Sequence, residues 1–67
     1  MMAESNFTDC LAKRIGRELR TAREDSKLSQ DALAYLAGVS LRSVQRLEGG
    51  QGANLSTFLK VRAVLFG

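Results

Sequence analysis

The chain has 67 residues, 45% of them hydrophobic, with ten Lys and Arg against seven Asp and Glu. A chain of this length forms one domain with a modest core, and its apolar share argues against wholesale disorder. Cys10 is the single cysteine and histidine is absent, which excludes a disulfide framework and a Cys/His metal site.

The sequence contains no stretch of 18 apolar residues, and its first ten residues lack the basic start and apolar run of a secretory signal. We therefore expect a cytoplasmic protein that does not span a membrane.

The net charge of +3 is modest, but the charges are unevenly distributed. Basic residues dominate from Lys13 to Lys27 and return at Arg42 and Arg46. A basic face indicates a polyanionic partner, although the same charges would also serve a solvated surface that keeps the protein soluble.

The absence of proline and of strand-like runs of Val, Ile and Thr favours helices, of which we predict four. Residues 1–9 are predicted to be a flexible arm and residues 10–67 the folded domain. The first helix runs from about Cys10 to Asp25, with Thr8 or Asp9 as its N-cap. Its predicted buried stripe consists of Leu11, Ile15, Leu19 and Ala22. Its predicted outer face carries Lys13, Arg17, Arg20 and Glu24.

Two short helices come next, and a fourth helix completes the domain. The second helix begins after its N-cap Ser29 and ends at Gly38, because glycine readily adopts the left-handed conformation. The third runs from its N-cap Ser40 to Glu48, and the fourth begins after its N-cap Asn54. The predicted buried side of the second helix is Leu33, Ala34, Leu36 and Ala37. The apolar residues of the fourth are Leu55, Phe58, Leu59, Val61, Val64 and Leu65.

Two short helices joined by a glycine turn describe a helix-turn-helix, running here from about Ser29 to Glu48. Ala34 lets the two helices approach, Gly38 supplies the turn, and Val44 fills the angle between them. Each of these three roles is structural, and it is the joint spacing of the three residues that indicates a helix-turn-helix.

The outer face of the third helix carries the candidate functional residues. The helical period turns Val44 toward the core and Arg42 and Arg46 away from it. A major groove admits one helix, arginine pairs with guanine, and glutamine suits adenine. We therefore predict that Arg42, Gln45 and Arg46 read bases, with Leu41 making an apolar contact at the rim. Without the surrounding motif, two exposed arginines would only solubilise a short helix.

Phosphate contacts are predicted from Gln30, beside the free N–H groups that begin the second helix, and from Ser40 and Ser43. On the first helix, Arg17 and Arg20 either add electrostatic attraction to the phosphates or are plain solvated charges.

The stretch SQDALAYLAGVSLRSVQRLEGG, residues 29–50, closely resembles the helix-turn-helix of the Cro/cI repressor type, also called the xenobiotic response element family. The shared pattern is Gln after the cap, Leu-Ala in the second helix, Gly-Val-Ser at the turn, and Val then Leu-Glu-x-Gly in the third. The similarity extends from about Leu11 to Leu65. It implies an all-α, compact four- or five-helix bundle of lambda-repressor-like type that acts as an operator-binding transcriptional regulator.

The resemblance also implies roles for individual residues. The family's base-contacting positions fall on Leu41, Arg42 and Arg46, and its phosphate-contacting positions on Gln30 and Ser40. A structural ion pair is implied between Arg23 and Glu48. Leu41 departs from the polar residues common at its position, and GGQGAN lacks the basic residues common before the fourth helix, which lowers the expected phosphate binding.

The leading hypothesis is a nucleoid-associated repressor that binds a two-fold operator in double-stranded DNA as a homodimer, because one recognition helix covers few base pairs. Val61, Val64, Leu65 and Phe66 either form the dimer contact or cover the core. Arg62 lies among them and either extends its charge to solvent or meets a partner subunit. A fifth helix is not expected, because the chain ends where it would begin.

A second hypothesis is an antitoxin or interaction subunit that neutralises a co-encoded toxin and autoregulates its operon, as small members of the resembled family often do. An enzyme is not expected, because no histidine can act as a base and the carboxylates form no evident pair. We expect no cofactor and no metal.

Overall fold

A computed structural model describes the backbone of residues 2–67 and the side chains of residues 10–67. Within this part of the chain there are four helices and no strand, which confirms the predicted all-α class. The helices are α1 (Met2–Asp25), α2 (Gln30–Ala37), α3 (Leu41–Glu48) and α4 (Leu55–Phe66). None of the described helices combines the length and the apolarity needed to cross a bilayer.

Short polar residues begin three of the helices, as predicted. Ser29, Ser40 and Asn54 are the N-caps of α2, α3 and α4, and each side-chain oxygen accepts a bond from the backbone N–H three residues further on. The donor–acceptor distances lie between 2.8 and 3.0 Å. These bonds satisfy N–H groups that the first turn of a helix leaves without a partner, so the caps define where the helices start.

The first helix starts earlier than predicted. Residues 2–9 contain neither glycine nor proline, and α1 continues through them to begin at Met2 instead of near Cys10. Thr8 and Asp9, the predicted N-cap candidates, are therefore not at the start of the helix, and their side chains lie outside the described ones. The division into an arm of residues 1–9 and a domain of residues 10–67 stays a prediction.

One hydrophobic core joins all four helices. Its buried members are Leu19, Leu33, Ala34, Ala37, Val44, Leu47 and Val61. Val64 and Leu65 pack half-buried against it, so that these two and Val61 cover the core and do not form a free surface. Phe66, the fourth residue predicted either to form the dimer contact or to cover the core, is exposed and lies outside this packing.

Three residues predicted to be buried are exposed. On α2 the buried residues Leu33, Ala34 and Ala37 span an arc of about 100°, and Leu36 lies roughly 100° around the helix from the middle of that arc. On α1, Leu11 and Ile15 are exposed although Leu19 is buried. The prediction was wrong for these residues because sequence periodicity identifies an apolar stripe but not which part of it meets a neighbouring helix.

Gly16 determines how α1 packs. A Cβ atom at this position would lie 2.5 Å from the carbonyl oxygen of Leu47 and 2.8 Å from that of Glu48. The backbone of α1 therefore touches the last turn of α3, and the inward direction of α1 runs through Gly16 and Leu19. Leu11 and Ile15 are consequently turned to the side of the helix.

Candidate nucleic-acid interface

The turn between α2 and α3 has the geometry that positions a second helix across the first. Gly38 adopts a left-handed conformation with φ of 70°, and the backbone N–H of Val39 donates to the carbonyl of Ala34 at 3.0 Å. Val44 is fully buried and Ala34 nearly so, and both belong to the core that α2 and α3 share. These contacts orient α3 with one face toward the core and the opposite face toward solvent.

The solvent face of α3 carries the predicted base-reading residues. Arg42, Gln45 and Arg46 are all exposed, and Leu41 lies at the edge of this face. The first three line a shallow, open depression of about 270 Å³ together with Gln51. The structure therefore brings the predicted guanidinium and amide groups onto one polar surface.

Gln51 was not among the predicted site residues, since the sequence analysis considered GGQGAN only as a segment without basic residues. Gly50 has a φ of 81°, a left-handed conformation that turns the chain back, and the N–H of Gln51 donates to the carbonyl of Arg46 at 3.0 Å. This bond holds Gln51 beside α3. The sequence signal for this position was Gly50, the second glycine after Glu48, because a glycine there favours a tight left-handed turn at the end of the helix.

The two predicted serines begin α3 and contact each other. The Oγ of Ser40 accepts a bond from the N–H of Ser43 at 3.0 Å and lies 2.9 Å from the Oγ of Ser43. Ser40 is exposed and Ser43 is half-buried. Their hydroxyl groups thus stabilise the start of α3 and lie next to its free N–H groups.

Arg23 and Glu48 form a largely buried ion pair between α1 and the end of α3. Nε of Arg23 donates to Oε2 of Glu48 at 2.6 Å, Nη2 donates to Oε1 at 3.1 Å, and Nη1 donates to the carbonyl of Leu28 at 2.8 Å. Only 11% and 5% of the two side chains are exposed. The hydrogen bond to Glu48 raises the pKa of Arg23 above its usual value, against the opposing effect of burial.

Gln30 joins this pair, an arrangement that sequence reasoning did not anticipate. Its Nε2 donates to Oε1 of Glu48 at 3.1 Å, and the side chain is half-buried. A glutamine amide has two N–H groups and one carbonyl oxygen. One N–H is used by Glu48, which fixes the orientation of the amide at the start of α2.

The exposed basic residues of α1 are partly paired among themselves. Arg20 lies 3.2 Å from Glu24 and Arg14 lies 3.6 Å from Glu18, both one helical turn apart and both exposed. Such surface pairs contribute little stability. Arg17 is exposed on the same helix. The positive charge of α1 is therefore smaller than the number of its arginines suggests.

A family model described as a helix-turn-helix domain matches residues 14–63, about three quarters of the chain. The match begins within α1, ends within α4 and contains every predicted DNA-contacting residue. It confirms the resemblance predicted from residues 29–50. No match was found among the curated proteins or the solved structures.

Proposed function

Since this chain belongs to the helix-turn-helix domain family, a family of DNA-binding regulators, we propose that it is a sequence-specific repressor acting as a homodimer on a two-fold operator. The observation that supports this most is the solvent face of α3, where Arg42, Gln45 and Arg46 stand together opposite the buried side chains of the same helix.

In the proposed mechanism α3 lies in the major groove, which is wide enough for one helix. Arg42 and Arg46 each donate two bonds to the O6 and N7 of a guanine, and Gln45 bonds an adenine. Leu41 is 36% exposed at the edge of the face, where it can contact the methyl group of a thymine. Recognition then comes from donor patterns and apolar contacts that differ between base pairs.

Phosphate contacts fix the position of the helix on the duplex without reading sequence. We propose that Gln30 uses its second N–H for a phosphate oxygen while Glu48 holds the first. The starts of α2 and α3 add free backbone N–H groups, beside Ser40 and Ser43 at α3. Gln51 extends the polar surface beyond the end of α3.

Selection of bound DNA from a random pool tests this function. We expect an enriched site with two related halves in inverted orientation, whose centres are separated by about one helical turn, roughly 34–36 Å. The same pool bound by the Arg42→Ala, Arg46→Ala double variant is the control, and it should return no enriched sequence. Failure of the unaltered chain to enrich any sequence would refute sequence-specific binding.

The antitoxin hypothesis stays a prediction, since no contact among the described residues favours it. Affinity purification of the tagged chain expressed with its neighbouring genes would test it, because a toxin partner should purify with the chain in a fixed ratio.

A further inference from the structure

The loop after α3 lies directly against the side of α1. A Cβ atom added to Gly50 would lie 2.6 Å from Cγ, 3.0 Å from Cα and 3.3 Å from Cβ of Lys13. The space that a side chain at position 50 would fill is therefore taken by Lys13. Gly50 also has a φ of 81°, so the close approach and the backbone conformation both favour glycine there. The first carbon atoms of the Lys13 side chain consequently lie against the backbone of the loop.

This contact places Lys13 next to the polar surface on the solvent face of α3. Gln51 directly follows Gly50, and its backbone N–H donates to the carbonyl of Arg46 at 3.0 Å. The side chains of Gln51 and Arg46 line the same shallow depression. Lys13 belongs to α1, yet it touches the residue at which this depression ends. Three helices therefore border the proposed DNA-binding surface near the end of α3, and not only the two of the helix-turn-helix.

The charged end of Lys13 is free to reach this surface. The residue is exposed, although the first part of its stem packs on Gly50. The three bonds from Cγ to Nζ span roughly 4 Å when extended. A lysine stem commonly packs along a surface while its ammonium remains in water. The ammonium of Lys13 can therefore lie beside Gln51 while the stem keeps its contact with the loop.

The exposed charges at this end of α3 all have the same sign. From residue 32 to residue 67 the sequence contains a single acidic residue, Glu48. Its side chain is only 5% exposed and is paired with Arg23. The guanidinium of Arg46 and the ammonium of Lys13 therefore face solvent with no exposed carboxylate on α3 or on the loop that follows it. Such a grouping of like charges attracts a polyanion.

We propose that Lys13 binds a phosphate of the DNA backbone beside the end of α3, as a contact that α1 supplies and that Gly50 positions. This inference deepens the proposed function and rests on it. A lysine ammonium is a compact charge with three N–H donors, which suits a phosphate oxygen. Because a phosphate is the same at every base pair, the contact reads no sequence and instead holds the end of α3 against the duplex.

Lys13 complements the phosphate contact proposed for Gln30. The amide of Gln30 is bonded to Glu48 in the last turn of α3, and Lys13 lies on Gly50 just after that turn. The two contacts come from α2 and α1, and both act at the same end of α3. Two separate phosphate contacts fix the orientation of a helix on the duplex, whereas a single contact leaves the helix able to turn about it.

Arg14 provides a matched contrast on the same helix. It follows Lys13 in the chain, so its side chain leaves α1 about 100° further around the axis. Its guanidinium lies 3.6 Å from the carboxylate of Glu18, and both residues line a cavity that Phe66 of α4 also borders. Removal of the charge of Arg14 therefore shows the effect of net charge alone, and removal of the charge of Lys13 adds the loss of the proposed contact.

The salt dependence of DNA binding tests the proposal. Fluorescence anisotropy measures the affinity of the full chain for the selected site and for an unrelated duplex from about 0.05 to about 0.2 M KCl. Lys13→Met keeps an apolar stem without the charge, and it should make the slope of log affinity against log salt shallower by about 0.9, the value for one lost phosphate contact. At about 0.1 M salt this loss corresponds to an affinity about eightfold lower, by the same factor on both duplexes.

Two further variants separate the contact from general effects. Lys13→Arg keeps a charge at the same place and should retain the slope of the unaltered chain. Arg14→Met removes one charge from the neighbouring position and should leave the slope nearly unchanged, because salt screens an exposed charge that touches no phosphate. Circular dichroism should show all three variants folded, since Lys13 and Arg14 are exposed.

Neutral methylphosphonates, placed at one phosphate of the bound duplex at a time, locate the contact. At one position the unaltered chain and Lys13→Met should bind with equal affinity, because the charge that Lys13 contacts is gone. Equal slopes for Lys13→Met and Arg14→Met would overturn the proposal and leave the proposed function standing. Equal binding of both duplexes, with a slope reduced by Lys13→Met alone, would refute sequence-specific binding and leave the phosphate contact standing. A chain that binds neither duplex would overturn both.

Discussion

Gln30 at the start of α2 and Glu48 at the end of α3 are joined by a hydrogen bond of 3.1 Å. The same carboxylate receives two bonds from Arg23 of α1. One buried acid thus ties together the three helices on which the proposed DNA contacts depend. The group that orients the amide proposed to bind a phosphate is therefore also the group that holds the proposed recognition helix in place.

Removal of one partner of the buried pair should strongly destabilise the fold. Arg23→Ala leaves the carboxylate of Glu48 buried without its main donor, and we expect a loss of about 3–5 kcal/mol in the free energy of unfolding. Urea denaturation followed by circular dichroism measures it. Arg14→Ala removes an exposed partner of Glu18 and should cost less than about 1 kcal/mol. Similar losses in both variants would contradict the structural importance of the buried pair.

The contribution of Arg23 to the free energy of unfolding should not vary with pH in the neutral range. Its pKa is raised in the folded state, so its stabilising effect is fully present below the pKa of the unfolded chain and is lost only as the pH rises through the folded value. Both values lie in strongly alkaline solution. We therefore expect a constant difference in unfolding free energy between Arg23→Met and the unaltered chain when both are measured from about pH 7 to about pH 9. A steady decline of this difference would show that another titrating group controls the pair.

Loss of either arginine on the solvent face of α3 should weaken specific binding. We expect Arg42→Ala and Arg46→Ala each to cost about 1–3 kcal/mol on the selected site and to relax the preference at one base pair. Fluorescence anisotropy with the site and its point variants measures both effects. Lys60→Ala removes the same charge from α4 and should lower affinity for all sequences without altering preference. Unchanged operator binding by both arginine variants would exclude α3 as the recognition helix.

Replacement of Gln30 should have two separable effects. Gln30→Ala removes a bond to Glu48 and should lower the free energy of unfolding by about 1 kcal/mol. It should also weaken binding to specific and unrelated DNA by the same factor, since a phosphate contact carries no sequence information. Binding titrations below the unfolding transition distinguish the two effects. A loss confined to the specific site would place the amide on a base instead.

The glycine in the middle of α1 should tolerate no side chain. Replacing an interior helical glycine by alanine normally stabilises by about 0.5–1 kcal/mol. Gly16→Ala should do the opposite, because its Cβ would lie 2.5 Å from the backbone oxygen of Leu47. Gly52→Ala provides the comparison, because the space around Gly52 is open. The only expected cost there is about 1 kcal/mol for placing alanine in a left-handed backbone conformation. Thermal unfolding should rank Gly16→Ala as the less stable of the two, and a stabilised Gly16→Ala would contradict the close approach of α1 and α3.

An added charge beside the proposed recognition helix should change the salt dependence of DNA binding. Gln51→Lys places a cation on the polar surface next to Arg46. If Gln51 faces the DNA backbone, the slope of log affinity against log salt should steepen by about one. Tyr35→Lys adds the same charge on an exposed part of α2 and serves as the control. Equal slopes for the two variants would remove Gln51 from the interface.

The sequence by itself determined the features that depend on a few neighbouring residues. Ser29, Ser40 and Asn54 bond to backbone groups three positions ahead, and Gly38 meets a local need for a left-handed turn. The separation of Val44 from Arg42 on α3 likewise follows from the helical period alone. These interactions are short-range, so their outcome can be predicted without the rest of the fold.

Only the tertiary structure decided how the helices are rotated about their axes and which polar groups meet. Leu36 and Ile15 fall within apolar stripes, yet they are exposed because contacts elsewhere on their helices, such as Gly16 against α3, select the buried arc. Gln30 and Glu48 are 18 positions apart in the chain, and no periodicity relates them. Their contact depends on how α2 and α3 cross, a long-range geometry that is determined by the packing of the whole core.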